Sequence, residues 1–183
     1  MITPTEDHTT RVRRAAVASL RAYGLVLDGA QVPVEDERID AIQSSVGQLI
    51  SVFADESGAT ASRAGTAPAF DVTCQIIVQA LVRRAGRADV VAGVDALIAQ
   101  VKDCLFRDSE WLRLVQNISS TRVVRAFKPE AEQAVGDGRL LVECTWREIY
   151  PPRVVQQLGG VNFTTTPPNG TPPISAGVTL ATP

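Results

Sequence analysis

The sequence is poor in histidine and in aromatic residues. Only one of its 183 residues is histidine, and Phe, Trp and Tyr together make up 5%. A histidine-based triad or zinc site would have to use His8, which we expect in a frayed N-terminus. The GxxxxGK[ST], GxGxxG, GxSxG and HExxH patterns do not occur in the sequence. We therefore expect no catalytic residue, no cofactor and no bound metal.

Charge of one sign and long apolar runs are also lacking. The formal net charge is −2, and charged residues make up 21% of the chain, so there is no general attraction to nucleic acid or to anionic membranes. No run approaches the ~20 apolar residues that a membrane span needs. The segment Met1–Asp7 has neither the basic nor the apolar part of a secretory signal. We expect a protein that stays in the cytoplasm during its assembly and has no membrane partner.

Cysteine is scarce and odd in number. Cys74, Cys104 and Cys144 lie far apart in the sequence, each on an apolar face of a predicted element. This pattern favours buried, reduced thiols over a disulfide or a metal site.

Hydrophobic periodicity predicts two helices and four strands. The helices cover about residues 10–23 and 89–105, with Thr9 or Thr10 as the first N-cap and Gly24 as the stop. The strands are expected at 46–53, 70–83, 118–127 and 139–150. Gly136-Asp137-Gly138 predicts a hairpin turn between the last two strands.

Two segments lack clear periodicity. Residues 55–68 are small, polar and glycine-bearing, which predicts a long flexible loop that acts as a contact element. Replacing this loop with an Asn-Gly turn should leave the subunit folded but abolish its function. The acidic residues Glu35, Asp36, Glu37 and Asp40 predict a solvated turn or the start of a short helix.

The expected order is therefore α-β-β-α-β-β, which belongs to the α+β class. We expect a single mixed or antiparallel sheet of about four strands with helices packed on one face. Residues 1–150 would form this α+β domain, because Pro151-Pro152 ends it. Residues 151–183 are rich in Pro, Thr and Gly and are expected to form a flexible tail or arm. Removing residues 154–183 should leave the thermal midpoint nearly unchanged.

Charged clusters supply the candidate contacts with a partner or with another subunit. Arg83, Arg84 and Arg87 could meet phosphate, meet an acidic patch on a protein, or block unwanted strand pairing. The 55–68 segment adds Asp55, Glu56 and Arg63. Carboxylates such as Asp71 and Glu143 fall on polar strand faces, where solvation is the usual state.

Five runs of sequence, taken in order, resemble a known family. They are Arg11–Leu20, Phe70–Val78, Val94–Val101, Leu105–Trp111 and Leu141–Arg147. Over about residues 10–150 the chain resembles the tail terminator, or tail completion, proteins of long-tailed bacteriophages and the related proteins of phage-like gene transfer agents.

The resemblance implies a structural protein without catalytic residues. It implies a homo-oligomer, a hexameric ring that caps the tail tube, ends tube polymerisation and meets the head connector. The implied partners are the major tail tube protein and a head completion or connector protein, with DNA only passing through the ring. The implied location is the virion tail or the head–tail junction, after assembly in the host cytoplasm.

Two alternatives stay open. One is a head–tail joining or connector protein of the same particle. The other, from a different class, is a small metal-dependent enzyme that uses carboxylates. A deep polar pocket with converging carboxylates would favour the enzyme, and a flat ring-forming surface would favour assembly.

Overall fold

The structure is a computed structural model that describes residues 7–37, 46–62, 68–130, 133–150, 161–165 and 174–178. The chain divides into two compact units, Met1–Ile149 and Tyr150–Pro183. The elements of the first unit are α1 (His8–Tyr23), β1 (Val26–Leu27), β2 (Ala30–Gln31), β3 (Val34–Asp36), β4 (Gln48–Ser62), β5 (Ala69–Arg84), α2 (Arg87–Arg107), α3 (Ser109–Leu114), β6 (Asn117–Glu130) and β7 (Gln133–Ile149).

Helix α1 begins slightly earlier than predicted. Asp7, rather than Thr9 or Thr10, is the N-cap, and its Oδ1 accepts a hydrogen bond from the Thr10 backbone N–H at 2.8 Å. A carboxylate at this position satisfies a free N–H of the first turn and also suits the helix dipole. The predicted stop is confirmed, since Gly24 ends the helix with a φ of 70°.

His8 is not part of a frayed terminus. Its ring lies 4.8 Å from that of Trp146, measured between centroids. Its Nε2 atom is 2.8 Å from the Leu114 carbonyl oxygen. The start of α1 is therefore fixed against β7 and α3.

The main sheet has five strands in the order β3-β4-β5-β7-β6. The pair β3–β4 is parallel, and the other three pairs are antiparallel. The α+β class and the mixed sheet are as expected, but the count of about four strands was too low. The additional strand is β3, which occupies the acidic run that was predicted to form a turn or a helix start.

The segment from β1 to β2 is a small hairpin. Leu27 pairs with Ala30, and between them Asp28 and Gly29 have φ values of 53° and 77°. Two central residues with positive φ suit the right-handed twist of paired strands, and Asp-Gly is a favoured sequence for such a turn.

The predicted long loop is mostly strand. β4 stays paired with β5 from Gln48 opposite Val82 to Ser62 opposite Ala69, with an irregularity between Glu56 and Gly58. The prediction of a loop at 55–68 was therefore wrong for residues 55–62, which belong to β4. Residues 63–67 lie outside the described part of the chain. Small residues tolerate the extended conformation at the end of a hairpin, so their composition alone did not separate loop from strand.

The predicted turn at Gly136-Asp137-Gly138 is also wrong. Both glycines lie inside β7, opposite Val82 and Ala80 of β5. A β-carbon on Gly136 would come 2.5 Å from Val90 Cγ1, and one on Gly138 would overlap Val94. The glycines are therefore required by the close approach of α2 to the sheet, not by a turn.

The two sides of the sheet differ in what covers them. On one side, residues from α1, α2, β4, β5 and β7 form the main core, including Val12, Val52, Val78, Leu97 and Leu140. On the other side, which we call the open face, Leu49, Leu81 and Val135 form a small buried cluster with Val46. No helix residue among those described belongs to that second cluster.

In the second unit, β8 (Val161–Thr165) and β9 (Ile174–Val178) pair antiparallel, with Val161 opposite Val178. The tail was expected to lack regular structure, and these two short strands correct that expectation. That this unit works as an arm of a ring-forming domain stays a prediction.

Candidate subunit and partner surface

The candidate contact residues fall into two separate groups. Asp55 and Glu56 lie on β4, whereas Arg83 and Arg84 end β5 and Arg87 begins α2. Asp55 pairs with Gln75, and at about 3.3 Å per residue Arg83 lies roughly 26 Å further along β5. Arg63 lies outside the described residues.

Arg84 is used inside its own unit. Its Nη2 atom donates to Asp28 Oδ2 at 2.6 Å and to Gln48 Oε1 at 2.8 Å, and its Nη1 donates to the Gly47 carbonyl at 3.3 Å. This side chain therefore ties the β1–β2 turn to the start of β4.

Arg83 and Arg87 differ from each other in exposure. The Arg83 Nη1 atom donates to the Val46 carbonyl oxygen at 3.4 Å, and the side chain is half-buried. Arg87 is exposed and lines a cavity of about 160 Å³ with Val90, Phe127, Lys128 and Ala134. Of the predicted basic cluster, Arg87 is thus the most accessible member.

The far half of β4 has an unpaired outer edge among the described residues. β3 pairs with β4 only at Ile50, Ser51 and Val52, although β4 continues to Ser62. Asp55 and Glu56 lie on this stretch and are exposed. Glu56 accepts a hydrogen bond from Thr9 Oγ1 at 3.3 Å, but no described cation pairs with either carboxylate.

The opposite edge of the sheet is basic. β6 is the last strand in the sheet order and carries Arg122, Arg125 and Lys128, all exposed. Arg125 donates to Asp95 of α2 at 2.7 Å, whereas Arg122 and Lys128 have no anionic partner among the described residues. None of the three was among the predicted contact residues, although Arg122 and Arg125 lie in the strand predicted at 118–127 and Lys128 directly follows it.

The open face also carries charged side chains that are held by hydrogen bonds. The Arg147 Nε atom donates to Asp71 Oδ1 at 2.9 Å across β5 and β7. This hydrogen bond lowers the pKa of the Asp71 carboxyl and raises the pKa of Arg147. Glu143 accepts from Ser119 on β6. Asp71 and Glu143 are therefore held by neighbouring strands rather than simply solvated.

The three cysteines are buried and free, as expected. Burial raises the pKa of the Cys74 and Cys104 thiols to about 11 and that of Cys144 to about 12. Cys74 lies directly opposite Cys144 in the β5–β7 pair. Thiols in this state are protonated at neutral pH and act as small apolar side chains.

Two larger depressions lie near the β1–β2 hairpin. One, of about 370 Å³, lies beside the end of α1 and is lined by Leu20, Arg21, Leu25, Val32 and Val34, among others. The other, of about 520 Å³, lies beside α2 and contains Asp28, Arg84 and Asp89. Within the described part of the chain, no group of three or more His, Cys, Asp or Glu side chains could hold a metal ion.

No helix of the described residues is both long and apolar enough to span a membrane. No protein-family model matches the sequence, and no curated protein matches it.

One solved chain similar to this one comes from a structure described as "Virion of native gene transfer agent (GTA) particle". The two chains are 17% identical, and the match covers 75% of this chain and 92% of the other, with a TM-score of 0.31. The description names a particle and not one of its components. A TM-score of 0.31 is too low for this similarity to indicate a function.

Proposed function

We propose that this protein is a structural assembly component of a phage-like particle and acts as a tail terminator. In this role six subunits form a ring on the finished tail tube, stop the addition of further tube subunits and present a surface to the head connector. No catalytic step belongs to this role.

The observation that carries the proposal is the length of the strands. β4, β5 and β7 contain 15, 16 and 17 residues, whereas strands in globular domains usually have about 5–6. The long strands give one small unit an open face and two exposed outer edges. Extended surfaces of this kind suit contacts with other proteins better than they suit a small-molecule site, which is usually concave.

The sequence supports the same role. The five runs that resemble tail terminators fall on α1, β5, α2, the α2–α3 junction and β7, so they cover the framework of the main sheet. A head–tail joining protein of the same particle is the nearest alternative, because it would also use a ring and the same kind of surface.

The proposed partners follow from this role. They are further copies of the chain, the tail tube protein and the head completion or connector protein, at the head–tail junction of the particle. Asp55, Glu56, Arg63, Arg83 and Arg87 are kept as proposed contact residues, whereas Arg84 is assigned mainly to the structure of its own unit.

Native mass spectrometry of the full chain tests the ring. The expected spectrum shows a discrete species at six times the 19.6 kDa mass of the chain. A monomer at every concentration, both alone and with tail tubes of its own particle, would count against the proposed function.

A further inference from the structure

The two outer edges of the main sheet carry opposite charges that form no ion pair among the described residues. Asp55 and Glu56 lie on the part of β4 whose outer edge has no described partner strand, and Arg122 and Lys128 lie on β6. All four side chains are exposed. The sheet therefore has one acidic edge and one basic edge.

Identical edges cannot pair well in this arrangement. Two β6 strands placed side by side would bring Arg122 and Lys128 of both copies together, and two β4 strands would bring together their carboxylates. Like charges on adjacent strands destabilise pairing. An acidic edge against a basic edge is the combination that the charges permit.

The strand directions fit the same combination. From β4 to β6, successive strands in the sheet are antiparallel, so β4 and β6 run in opposite directions. If the next copy continues the sheet in the same orientation, its β4 lies antiparallel to β6 of the first copy. The helices of both copies then remain on the same side of the continued sheet.

β3 limits where along β4 another strand can pair. It already pairs with β4 at Ile50, Ser51 and Val52, so β6 of another copy can pair only with residues 53–62. The register of the sheet places Asp55, Arg122 and Lys128 on the open face, because each alternates with core residues along its strand. With no shift between copies, Lys128 would be level with Arg83 and outside this stretch, so the next copy must be displaced along the strands. A displacement that brings Lys128 opposite Asp55 keeps both side chains on the open face, where directly opposite residues are about 4.5–5.5 Å apart between their Cβ atoms.

We infer that β6 of one subunit pairs antiparallel with residues 53–62 of β4 in the next subunit, so that the sheet continues from copy to copy. This inference rests on the proposed ring and identifies its subunit interface. The interface is head-to-tail, and such an interface closes into a ring when each copy is rotated by a constant angle.

The test uses two variants of the full chain. The acidic variant is Arg122→Glu with Lys128→Glu, and it has two acidic edges. The basic variant is Asp55→Arg with Glu56→Arg, and it has two basic edges. The control variant, Arg11→Glu with Arg113→Glu, reverses two exposed arginines that lie on α1 and α3 and not on β4 or β6. Circular dichroism and thermal melting verify that each variant folds.

Sedimentation velocity and native mass spectrometry then measure assembly. We expect wild type and control to form the same oligomer and each edge variant alone to lose it. An equal mixture of the two edge variants should recover it, with acidic and basic copies alternating. Recovery of the wild-type oligomer by mixing, together with its loss in each variant alone, is the result expected when oppositely charged edges form the interface.

The inference is overturned if either edge variant assembles alone as wild type does, or if the mixture stays monomeric while wild type assembles. A wild-type chain that is monomeric under all conditions also overturns it. Failure of the proposed function is a separate result, because a wild-type ring held by these edges that leaves tail length uncontrolled would contradict the function and not the interface.

Discussion

Val94 of α2 lies so close to Gly138 of β7 that a β-carbon on the glycine would overlap its Cγ1 atom. Val90 stands in the same relation to Gly136, because a β-carbon on that glycine would lie 2.5 Å from the Val90 Cγ1 atom. The two valines are one helical turn apart, so this pair of contacts sets how closely α2 approaches the middle of the sheet.

Gly138→Ala should destabilise the main unit by about 1–3 kcal/mol, because the added methyl group forces the helix away from the sheet. The measurement is urea unfolding at equilibrium. Gly47→Ala is the matched control, since a β-carbon there would be in ordinary contact with Arg84 at 3.6 Å, and its effect should stay within about 0.5 kcal/mol. Equal effects of the two substitutions would contradict the packing argument.

Asp108 should contribute stability that depends on pH. It is the N-cap of α3 and accepts hydrogen bonds from the Glu110 and Trp111 N–H groups at 2.8 and 3.1 Å. Asp108→Ala should cost about 0.5–2 kcal/mol near neutral pH, because these N–H groups lose their acceptor.

The sign of the pH effect follows from the hydrogen bonds. The Ser19 hydroxyl and the two N–H groups lower the pKa of the Asp108 carboxyl below its usual 3.8. The stabilisation is therefore present above the unfolded-state pKa and is lost as the pH falls through the lower folded-state pKa. In urea titrations, the free energy of unfolding of Asp108→Asn should be lower than that of wild type at neutral pH, and this difference should shrink as the pH falls into the acid range. A difference that is constant with pH would contradict this.

The buried thiols should be unreactive in the native protein. Their raised pKa values and their burial leave little accessible thiolate at neutral pH. When the native protein is mixed with an aromatic disulfide that releases a coloured thiolate on reaction with a thiol, the absorbance should barely rise. All three thiols should react once the chain is unfolded in guanidinium. Rapid reaction of Cys74 or Cys144 in the native protein would show that β5 and β7 are not tightly paired at that position.

The Arg84–Asp28 pair should couple the β1–β2 turn to the main sheet only modestly. The pair is partly exposed, with side-chain accessibilities of 26% and 67%, so a double-mutant cycle should give about 0.2–1 kcal/mol. Arg84→Ala and Asp28→Asn are suitable, because asparagine tolerates the positive φ of residue 28. If the effects of the two substitutions on the free energy of unfolding are additive, the pair has no coupling energy and the prediction is contradicted.

Periodicity predicted the helices and the central strands well. The alternation from Phe70 to Val82 identified β5, and the wide apolar stripe identified α2, because both elements bury one side against the same core. The errors fall where a residue's role depends on a distant neighbour. Gly136 and Gly138 look like turn residues until α2 is placed above them, and Val34–Asp36 becomes a strand only because β4 supplies a partner.

The candidate contact residues show the same limit. Arg83, Arg84 and Arg87 were grouped because they are close in sequence, but in the fold Arg84 donates a hydrogen bond to Asp28. Arg122 and Lys128 gain their interest from the position of β6 at the edge of the sheet, which depends on pairings between strands that are far apart in sequence.

The most direct test of the proposed function is electron microscopy of tail tubes assembled with and without this protein. We predict that tubes assembled with it have a narrow length distribution and one ring at one end, and that tubes assembled without it grow to uncontrolled lengths. Tubes of the same uncontrolled length in both samples, with no ring at either end, would contradict the account.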